Sequence, residues 1–178
     1  VSIIGKSVLK PRCTSIPYSD LADAKKDIRG LSPFFKSLDG KCKFTFLENE
    51  FDIPEDFFLP EFDDQDWDII PVPSSWQAQG YDTPHYINSR YPFPVDPPHI
   101  PDMNPVGLYR TVFILPKAFE NRNTVLHFGG VNSSFVLYVN GKEVGYSQGS
   151  HMPSEFDITS FTRPGANLIA VKVYKMSV

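Results

Sequence analysis

The sequence predicts an all-β protein with a short N-terminal arm, and three observations support this prediction. After residue 36, segments of five to eight residues rich in β-branched and aromatic side chains alternate with Gly, Pro, Asn and Asp, which is the pattern of strands separated by turns. An Asn-Gly pair at 140–141 joins two such segments, and this pair tolerates the positive φ angles of a type I′ hairpin. The chain has 178 residues, 41% of them hydrophobic, so it can bury a core without disulfide bonds.

Residues 1–36 are predicted to form the arm. A short helical stretch at 18–28 lies between Pro17 and Pro33, and this region shows no sustained apolar face. We therefore expect the arm to lie against something else, and we expect residues 37–178 to form the β-sandwich domain.

Seven strands and a short extended piece follow the arm. The predicted strands are 41–47, 67–72, 108–115, 124–128, 134–139, 142–147 and 167–174, and the extended piece is 154–158. In the strand before the Asn-Gly turn, Phe135, Leu137 and Val139 share one face, whereas Val136 and Tyr138 share the other. Both faces are apolar, which predicts a central strand covered on both sides.

The segment between the second and third strands has a different composition. Seven prolines occur from Pro84 to Pro105. The aromatic residues interleaved there are Tyr81, Tyr86, Tyr91 and Phe93. Because proline removes backbone donors, a sheet cannot absorb this segment. We expect an extended surface loop, and its length favours a contact with another domain or with substrate.

Charge and hydropathy argue against two classes of partner. The formal net charge is −4 and the basic residues are scattered among acids, so nucleic acid is not an expected partner. No apolar run approaches the ~20 residues needed to cross a bilayer, and the first residues lack the pattern of a signal peptide. We expect a cytoplasmic protein, unless a targeting segment before Val1 has been removed.

Cysteine, histidine and aspartate are not spaced as metal ligands. Cys13 and Cys42 lack a second pair to complete a zinc site, and unpaired thiols are favoured over a disulfide between the arm and the first strand. The histidines are far apart in the sequence: His85, His99, His127 and His151. An acidic run comprises Asp63, Asp64, Asp66 and Asp68. Because this run lacks the Gly and the terminal Glu of an EF-hand loop, a solvated turn is favoured over a calcium site.

Two carboxylates near the end of the chain come nearest to a catalytic pair. Glu155 and Asp157 lie two residues apart on one side of an extended segment, and glycosidases use two carboxyl groups ~5 to 9 Å apart. Neighbouring acids on one strand more often bond backbone donors or begin a turn, so we interpret Glu155 as a structural acid. No complete catalytic apparatus is predicted in this chain.

A series of motifs follows in one order through the chain. They are Ser37-Leu38-Asp39-Gly40-Lys41, Val72-Pro73-Ser74-Ser75-Trp76-Gln77, Gly80-Tyr81-Asp82, Tyr86-Ile87-Asn88, Asn104-Pro105-Val106-Gly107-Leu108-Tyr109-Arg110, Phe128-Gly129-Gly130-Val131-Asn132-Ser133-Ser134-Phe135, Val139-Asn140-Gly141-Lys142, Val144-Gly145-Tyr146-Ser147, Pro153-Ser154-Glu155-Phe156-Asp157-Ile158 and Gly165-Ala166-Asn167-Leu168. Together they resemble the first domain of glycoside hydrolase family 2 β-galactosidases, over roughly residues 32–178. Several independent motifs are more specific than any one of them alone.

The resemblance implies a jelly-roll, galactose-binding-like β-sandwich that packs against a TIM-barrel catalytic domain of the same polypeptide. In that family the nucleophile and the acid/base are glutamates of the barrel, which is absent from this chain, and hydrolysis of β-galactosides is retaining. Mg and Na are implied as cofactors of the full-length enzyme, and none is expected for this fragment. A homo-oligomer is a further possibility.

The resemblance also implies one substrate-binding residue. The asparagine of the Val-Asn-Ser segment, Asn132, is expected to hydrogen-bond sugar hydroxyls, and an amide offers two donors and one acceptor for this purpose. The alternative is a turn asparagine that satisfies the local backbone. Trp76 is expected to be a buried anchor of the long loop rather than a platform on which a sugar stacks.

Three alternative functions stay open. The chain could be a free-standing carbohydrate-binding module or part of another family 2 glycosidase, such as a β-glucuronidase or a β-mannosidase. It could also be a structural interface whose loop and arm stabilise an oligomer.

Overall fold

The structure is a computed structural model that describes residues 4–84, 93–94, 96–101 and 103–177. The strands in this part of the chain are β1 (Gly5–Lys6), β2 (Gly40–Leu47), β3 (Asp68–Val72), β4 (Val106–Leu115), β5 (Val125–Phe128), β6 (Ser134–Val139), β7 (Lys142–Gln148), β8 (Ser154–Asp157) and β9 (Gly165–Tyr174). The helices are α1 (Leu21–Lys26) and the short 3₁₀ turns Arg29–Leu31, Glu50–Asp52, Trp76–Gln79, Lys117–Phe119 and Thr159–Phe161.

The strands form two antiparallel sheets that pack as a sandwich. The large sheet has the order β1-β7-β6-β9-β4-β2-β3, and the small sheet pairs β5 with β8. In the large sheet, β4 and β9 pair along their whole ten-residue lengths. Phe44 and Leu137 of the large sheet and Phe156 of the small sheet are fully buried in one apolar cluster. The predicted all-β sandwich is therefore confirmed.

The Asn-Gly pair forms the predicted hairpin between β6 and β7. Asn140 and Gly141 have φ angles of 50° and 79°, as a type I′ turn requires. The Asn140 side chain also donates to the Phe161 carbonyl and to Asn167 Oδ1, both at 2.8 Å. Strand β6 lies between β7 and β9, which confirms that it is a central strand.

The first part of the arm is attached to the sandwich by backbone pairing. Strand β1 pairs with the edge of β7, Val8 bridges to Phe156 of β8, and the Leu9 N–H donates to the Glu155 carbonyl at 2.8 Å. The arm thus runs from the edge of the large sheet to the small sheet. Strand β1 was not predicted, because two residues carry no periodic pattern and their pairing is long-range.

The helix of the arm is shorter than the predicted 18–28. It begins after Asp20, whose side chain accepts a hydrogen bond from the Asp23 N–H at 2.9 Å, and it ends at Asp27, which has a left-handed φ of 52°. Both ends are therefore set by local capping.

Both cysteines are free in the structure. Cys13 is exposed and Cys42 is buried, and the Cys42 thiol donates to the Arg110 carbonyl at 3.2 Å. Burial raises the pKa of the Cys42 thiol to about 11, so this thiol stays protonated at neutral pH.

A second layer covers part of the outer face of the large sheet, which is the face turned away from the small sheet. This layer is residues 48–68, here called the acidic segment. Its Phe57 packs with Leu108 and Ala170 in a second apolar cluster. Below the layer, the buried Arg110 donates to the carbonyls of Phe57 and Leu59.

The long loop leaves β3 and first forms the 3₁₀ turn Trp76–Gln79. Tyr86 and Tyr91, which led to the prediction of an extended surface loop, lie outside the described residues, as does His85. The described end of the loop is fixed by Asn104, whose side chain donates to the Met176 carbonyl at 3.0 Å and accepts from the Met176 N–H at 2.9 Å.

Candidate functional site

An open cleft of about 610 Å³ lies between the two sheets, next to β5. Its apolar floor comes from the large sheet and includes Tyr109, Ile169, Val171 and Val173. Its polar rim includes Ser74, Ser75, Gln77, His127, Asn132, Ser150, His151 and Lys175. Concave apolar surfaces with a few polar groups are typical of ligand sites, so this cleft is the candidate functional site.

Asn132, the sequence-predicted site residue, lies at the rim of the cleft and is exposed. The next residue is fixed by two backbone bonds, from the Ser133 N–H to the Tyr174 carbonyl and from the Gly149 N–H to the Ser133 carbonyl, both 3.0 Å. Asn132 Oδ1 accepts a hydrogen bond from Ser150 Oγ at 2.8 Å. Its Nδ2 makes no hydrogen bond within the described part of the chain, so two N–H donors are available to an external acceptor.

Trp76 forms part of the cleft wall and is buried, with 5% of its surface exposed. Its ring packs against Phe44 and Phe46, at centroid distances of 6.2 and 5.7 Å. Gly107 allows this packing, because a Cβ at that position would lie 2.3 Å from the indole. The prediction that Trp76 is an anchor is confirmed. Its Nε1 is buried and has no hydrogen-bond partner among the described residues.

An ion pair ties the loop to the end of β9 beside the cleft. Lys175 Nζ lies 2.5 Å from Asp82 Oδ2, and Gln77 Nε2 donates to the same oxygen at 3.2 Å. Burial alone would raise the pKa of Asp82, but the hydrogen bonds from Lys175, the Thr83 backbone and Gln77 hold this pKa below its ordinary value. The sequence does not predict this pair, because no local pattern links residues so far apart.

Glu155 is held by two basic side chains, which confirms that it is a structural acid. Arg12 donates to both of its carboxylate oxygens, at 2.8 and 3.3 Å, and His127 Nδ1 lies 3.2 Å from Oε1. Burial would raise the pKa of Glu155, but hydrogen bonds and charge from Arg12 and His127 lower it below the ordinary value. The neighbouring Asp157 accepts from the backbone N–H and hydroxyl of Thr159, and these bonds lower its pKa.

The prediction of a solvated acidic turn was wrong for one of its members. Asp64 is only partly exposed and bonds Arg110 Nε at 2.7 Å, because a buried guanidinium needs a compensating carboxylate. Asp68 accepts from the Tyr81 hydroxyl at 2.6 Å. Within the described residues, no group of three or more His, Cys, Asp or Glu side chains could hold a metal ion.

The two-sheet antiparallel arrangement defines a β-sandwich domain with a cleft at the edge of its small sheet. Residues 35–178 match the family described as glycosyl hydrolases family 2, sugar binding domain. The chain therefore belongs to glycosyl hydrolase family 2, as a sugar-binding domain of that family.

Curated relatives of this chain are named β-galactosidases. The protein from Priestia megaterium is 42% identical over 173 residues, which cover 94% of this chain and 17% of the relative. The protein from Leuconostoc mesenteroides is 44% identical over 170 residues, which cover 94% of this chain and 16% of the relative. The chain thus spans about one sixth of the length of these relatives.

Similar solved structures include β-glucuronidases. One is a β-glucuronidase from an uncultured Clostridium species, with a TM-score of 0.55 and 27% identity over 78% of this chain and 21% of the other. Another is the β-glucuronidase of Ruminococcus gnavus in complex with D-glucuronic acid, with a TM-score of 0.56 and 26% identity over the same shares. No helix among the described residues is long and apolar enough to cross a membrane.

Proposed function

We propose that this chain is the N-terminal domain of a retaining β-galactosidase, in which it contributes to the substrate pocket and supports a catalytic TIM barrel of the same polypeptide. The β-galactosidase relatives, at about 42% identity over most of the chain, support the choice of enzyme. The catalytic glutamates would lie on the barrel, outside this chain. The sugar would be a terminal β-galactoside.

The observation that carries the pocket proposal is the arrangement of Asn132. Its amide is exposed on the cleft rim, Ser150 holds its oxygen, and its nitrogen has no partner within the described residues. An uncharged amide suits a set of sugar hydroxyls, because it can donate and accept without adding a charge that would need compensation.

The experiment that tests this proposal uses the full-length enzyme with 4-nitrophenyl glycosides. We expect turnover of the β-galactoside to exceed that of the β-glucuronide and the β-mannoside. We expect Asn132→Ala to lower kcat/KM for the galactoside, with a loss of about 1 to 3 kcal/mol in transition-state binding, because a sugar hydroxyl enclosed in the assembled pocket would be left without its hydrogen-bond partner. Asn123→Ala, which removes an exposed amide outside the cleft, is the matched control and should leave kcat/KM unchanged. Unchanged kinetics in Asn132→Ala would mean that this residue has only a local structural role.

A second candidate is another family 2 glycosidase, and the β-glucuronidase neighbours favour that alternative. Preferential turnover of the glucuronide in the same assay would select it. A free-standing carbohydrate-binding module would instead bind galactosides in isolation, which calorimetry on the 178-residue chain measures directly.

The remaining expectations are proposals about the whole enzyme. Mg and Na are expected for the full-length enzyme, with their ligands in other parts of the polypeptide. The two free thiols are compatible with the reducing cytoplasm, which we propose as the compartment.

A further inference from the structure

Nearly half of the acidic residues of this chain lie in one segment, although its basic residues are scattered over the rest of the sequence. The acidic segment, 48–68, contains ten Asp and Glu residues and no Lys or Arg, whereas the rest of the chain has 11 acids and 17 basic residues. The net charge of −4 is therefore the sum of a strongly acidic segment and a remainder that is positively charged. Such a distribution favours contact between unlike surfaces of two molecules.

The outer face of the large sheet carries an apolar groove that the acidic segment leaves uncovered. The groove has a volume of about 510 Å³. Ile69 of β3 and Val112 of β4 line it and are 58% and 64% exposed, and Ile114 continues the same face of β4 at 60%. Exposed aliphatic side chains that share one sheet face mark an interaction surface more than scattered ones do.

The groove is basic at its borders. Lys41 and Arg163 line it and are exposed. Asp64 is the only carboxylate among the described residues that line it, and that carboxylate is paired with Arg110. An apolar group flanked by carboxylates would therefore complement this groove.

The acidic segment presents such a group. Phe51 is 79% exposed and stands between Glu50 and Asp52, which are exposed acids. The turn is held by Asn49, whose Oδ1 accepts from the Phe51 N–H at 2.9 Å and whose Nδ2 donates to Asp52 Oδ2 at 2.8 Å. Phe51 is thus a projecting aromatic side chain on a locally fixed turn. Because hydrogen bonds already hold this turn, Phe51 loses little further conformational freedom on binding.

The projecting Phe51 and the groove lie toward opposite ends of the same outer face. Leu47, three residues before Glu50, pairs with Val106 of β4, which in turn pairs with Tyr174 of β9, whereas Ala166 of β9 lines the groove. Eight residues along a strand span about 26 Å. A two-fold axis in the plane of this face, midway between the two features, would bring each Phe51 to the groove of the other copy and close the assembly.

We propose that two copies of this chain associate face to face through the outer face of the large sheet, with Phe51 of each copy in the basic, apolar groove of the other. The interface is isologous, so each contact is made twice. It is separate from the cleft on the opposite face of the sheet.

Sedimentation equilibrium of the 178-residue chain tests this proposal. We expect a monomer–dimer equilibrium that is weaker in 0.5 M than in 0.05 M NaCl. Phe51→Ser and Val112→Asp should each raise the dimer dissociation constant at least tenfold. Leu21→Ser, in the exposed part of the arm, removes an equally exposed apolar side chain and should leave the constant unchanged. Circular dichroism of each variant verifies that it is folded.

A mixture of the two variants gives the sharpest outcome. The Phe51→Ser copy keeps an intact groove and the Val112→Asp copy keeps an intact Phe51, so the mixed dimer retains one contact while each homodimer retains none. The mixture should therefore associate more tightly than either variant alone. A wild-type chain that stays monomeric, a mixture no tighter than its components, or growth beyond the dimer would overturn the proposal. None of these outcomes bears on sugar hydrolysis.

Discussion

Among single residues, Arg110 shows how a buried charge organises this domain. Its side chain is 4% exposed, and it bonds backbone carbonyls of the acidic segment as well as the Asp64 carboxylate. The central carbon of its guanidinium, Cζ, lies over the Phe62 ring, 5.4 Å from the ring centroid. One guanidinium thus holds the outer layer on the sheet.

We expect Arg110→Ala to lower the free energy of unfolding by about 3 to 5 kcal/mol, because the carbonyls of Phe57 and Leu59 and the Asp64 carboxylate would lose their donor. Urea denaturation of the chain measures this change. The control is Arg122→Ala. The Arg122 guanidinium is exposed and lies 4.6 Å from the centroid of the Phe34 ring, so its removal should lower the free energy of unfolding by less than about 1 kcal/mol. Equal effects of the two substitutions would contradict the role assigned to Arg110.

The sequence predicts some single residues well and others not at all. Burial of Trp76 follows from its size and its place in a turn, because these are local properties. The pairing of Asp64 with Arg110 and of Asn132 with Ser150 depends on which strands become neighbours. Local composition carries no such information, and the acidic run by itself therefore predicts only a solvated turn.

At the scale of elements, the predicted strands from β2 to β9 follow from alternating patterns and turn residues, and the hairpin follows from Asn-Gly chemistry. Strand β1 is different. It exists because β7 offers an edge, and the arm is then held at β8 by backbone bonds and by the pair of Arg12 with Glu155. Such attachment can be found only when the sandwich is already in place.

The attachment of the arm should depend on pH through Glu155. The folded-state pKa of this carboxyl is lowered, so its contribution to stability is present above the unfolded value of about 4.3 and is lost as the pH falls through the folded value. We expect Glu155→Gln to lower the free energy of unfolding at pH 7, and the difference from wild type to shrink as the pH falls below about 4. Urea denaturation across pH 3 to 7 measures it.

Glu143→Gln is the control for this pH dependence. The Lys6–Glu143 pair joins the same arm to β7 at 2.7 Å, but both side chains are largely exposed, and exposed ion pairs contribute little. The unfolding free energy of this variant should follow that of wild type at every pH. A constant Glu155→Gln difference between pH 3 and 7 would contradict an electrostatic link.

At the scale of the whole molecule, the two faces of the large sheet have different surroundings. The inner face meets the small sheet and leaves a polar-rimmed cleft at its edge, whereas the outer face carries the acidic segment and the basic groove. The sequence predicts the sandwich itself, since patterned strands must cover one another. It does not predict which face stays open, because that depends on where the connections between strands cross the sheets.

The whole chain should show no glycosidase turnover by itself. A retaining mechanism needs two carboxyl groups on either side of the sugar, one of them with a raised pKa so that it can act as an acid. The two neighbouring acids of β8 do not meet this need, because the pKa values of Glu155 and Asp157 are both lowered by hydrogen-bond partners within the domain. We expect no hydrolysis of 4-nitrophenyl β-galactoside by the purified chain under conditions in which the full-length enzyme is active. The double variant Glu155→Gln, Asp157→Asn distinguishes contamination from real activity, since turnover present in wild type and absent in this variant would assign the chemistry to the sandwich.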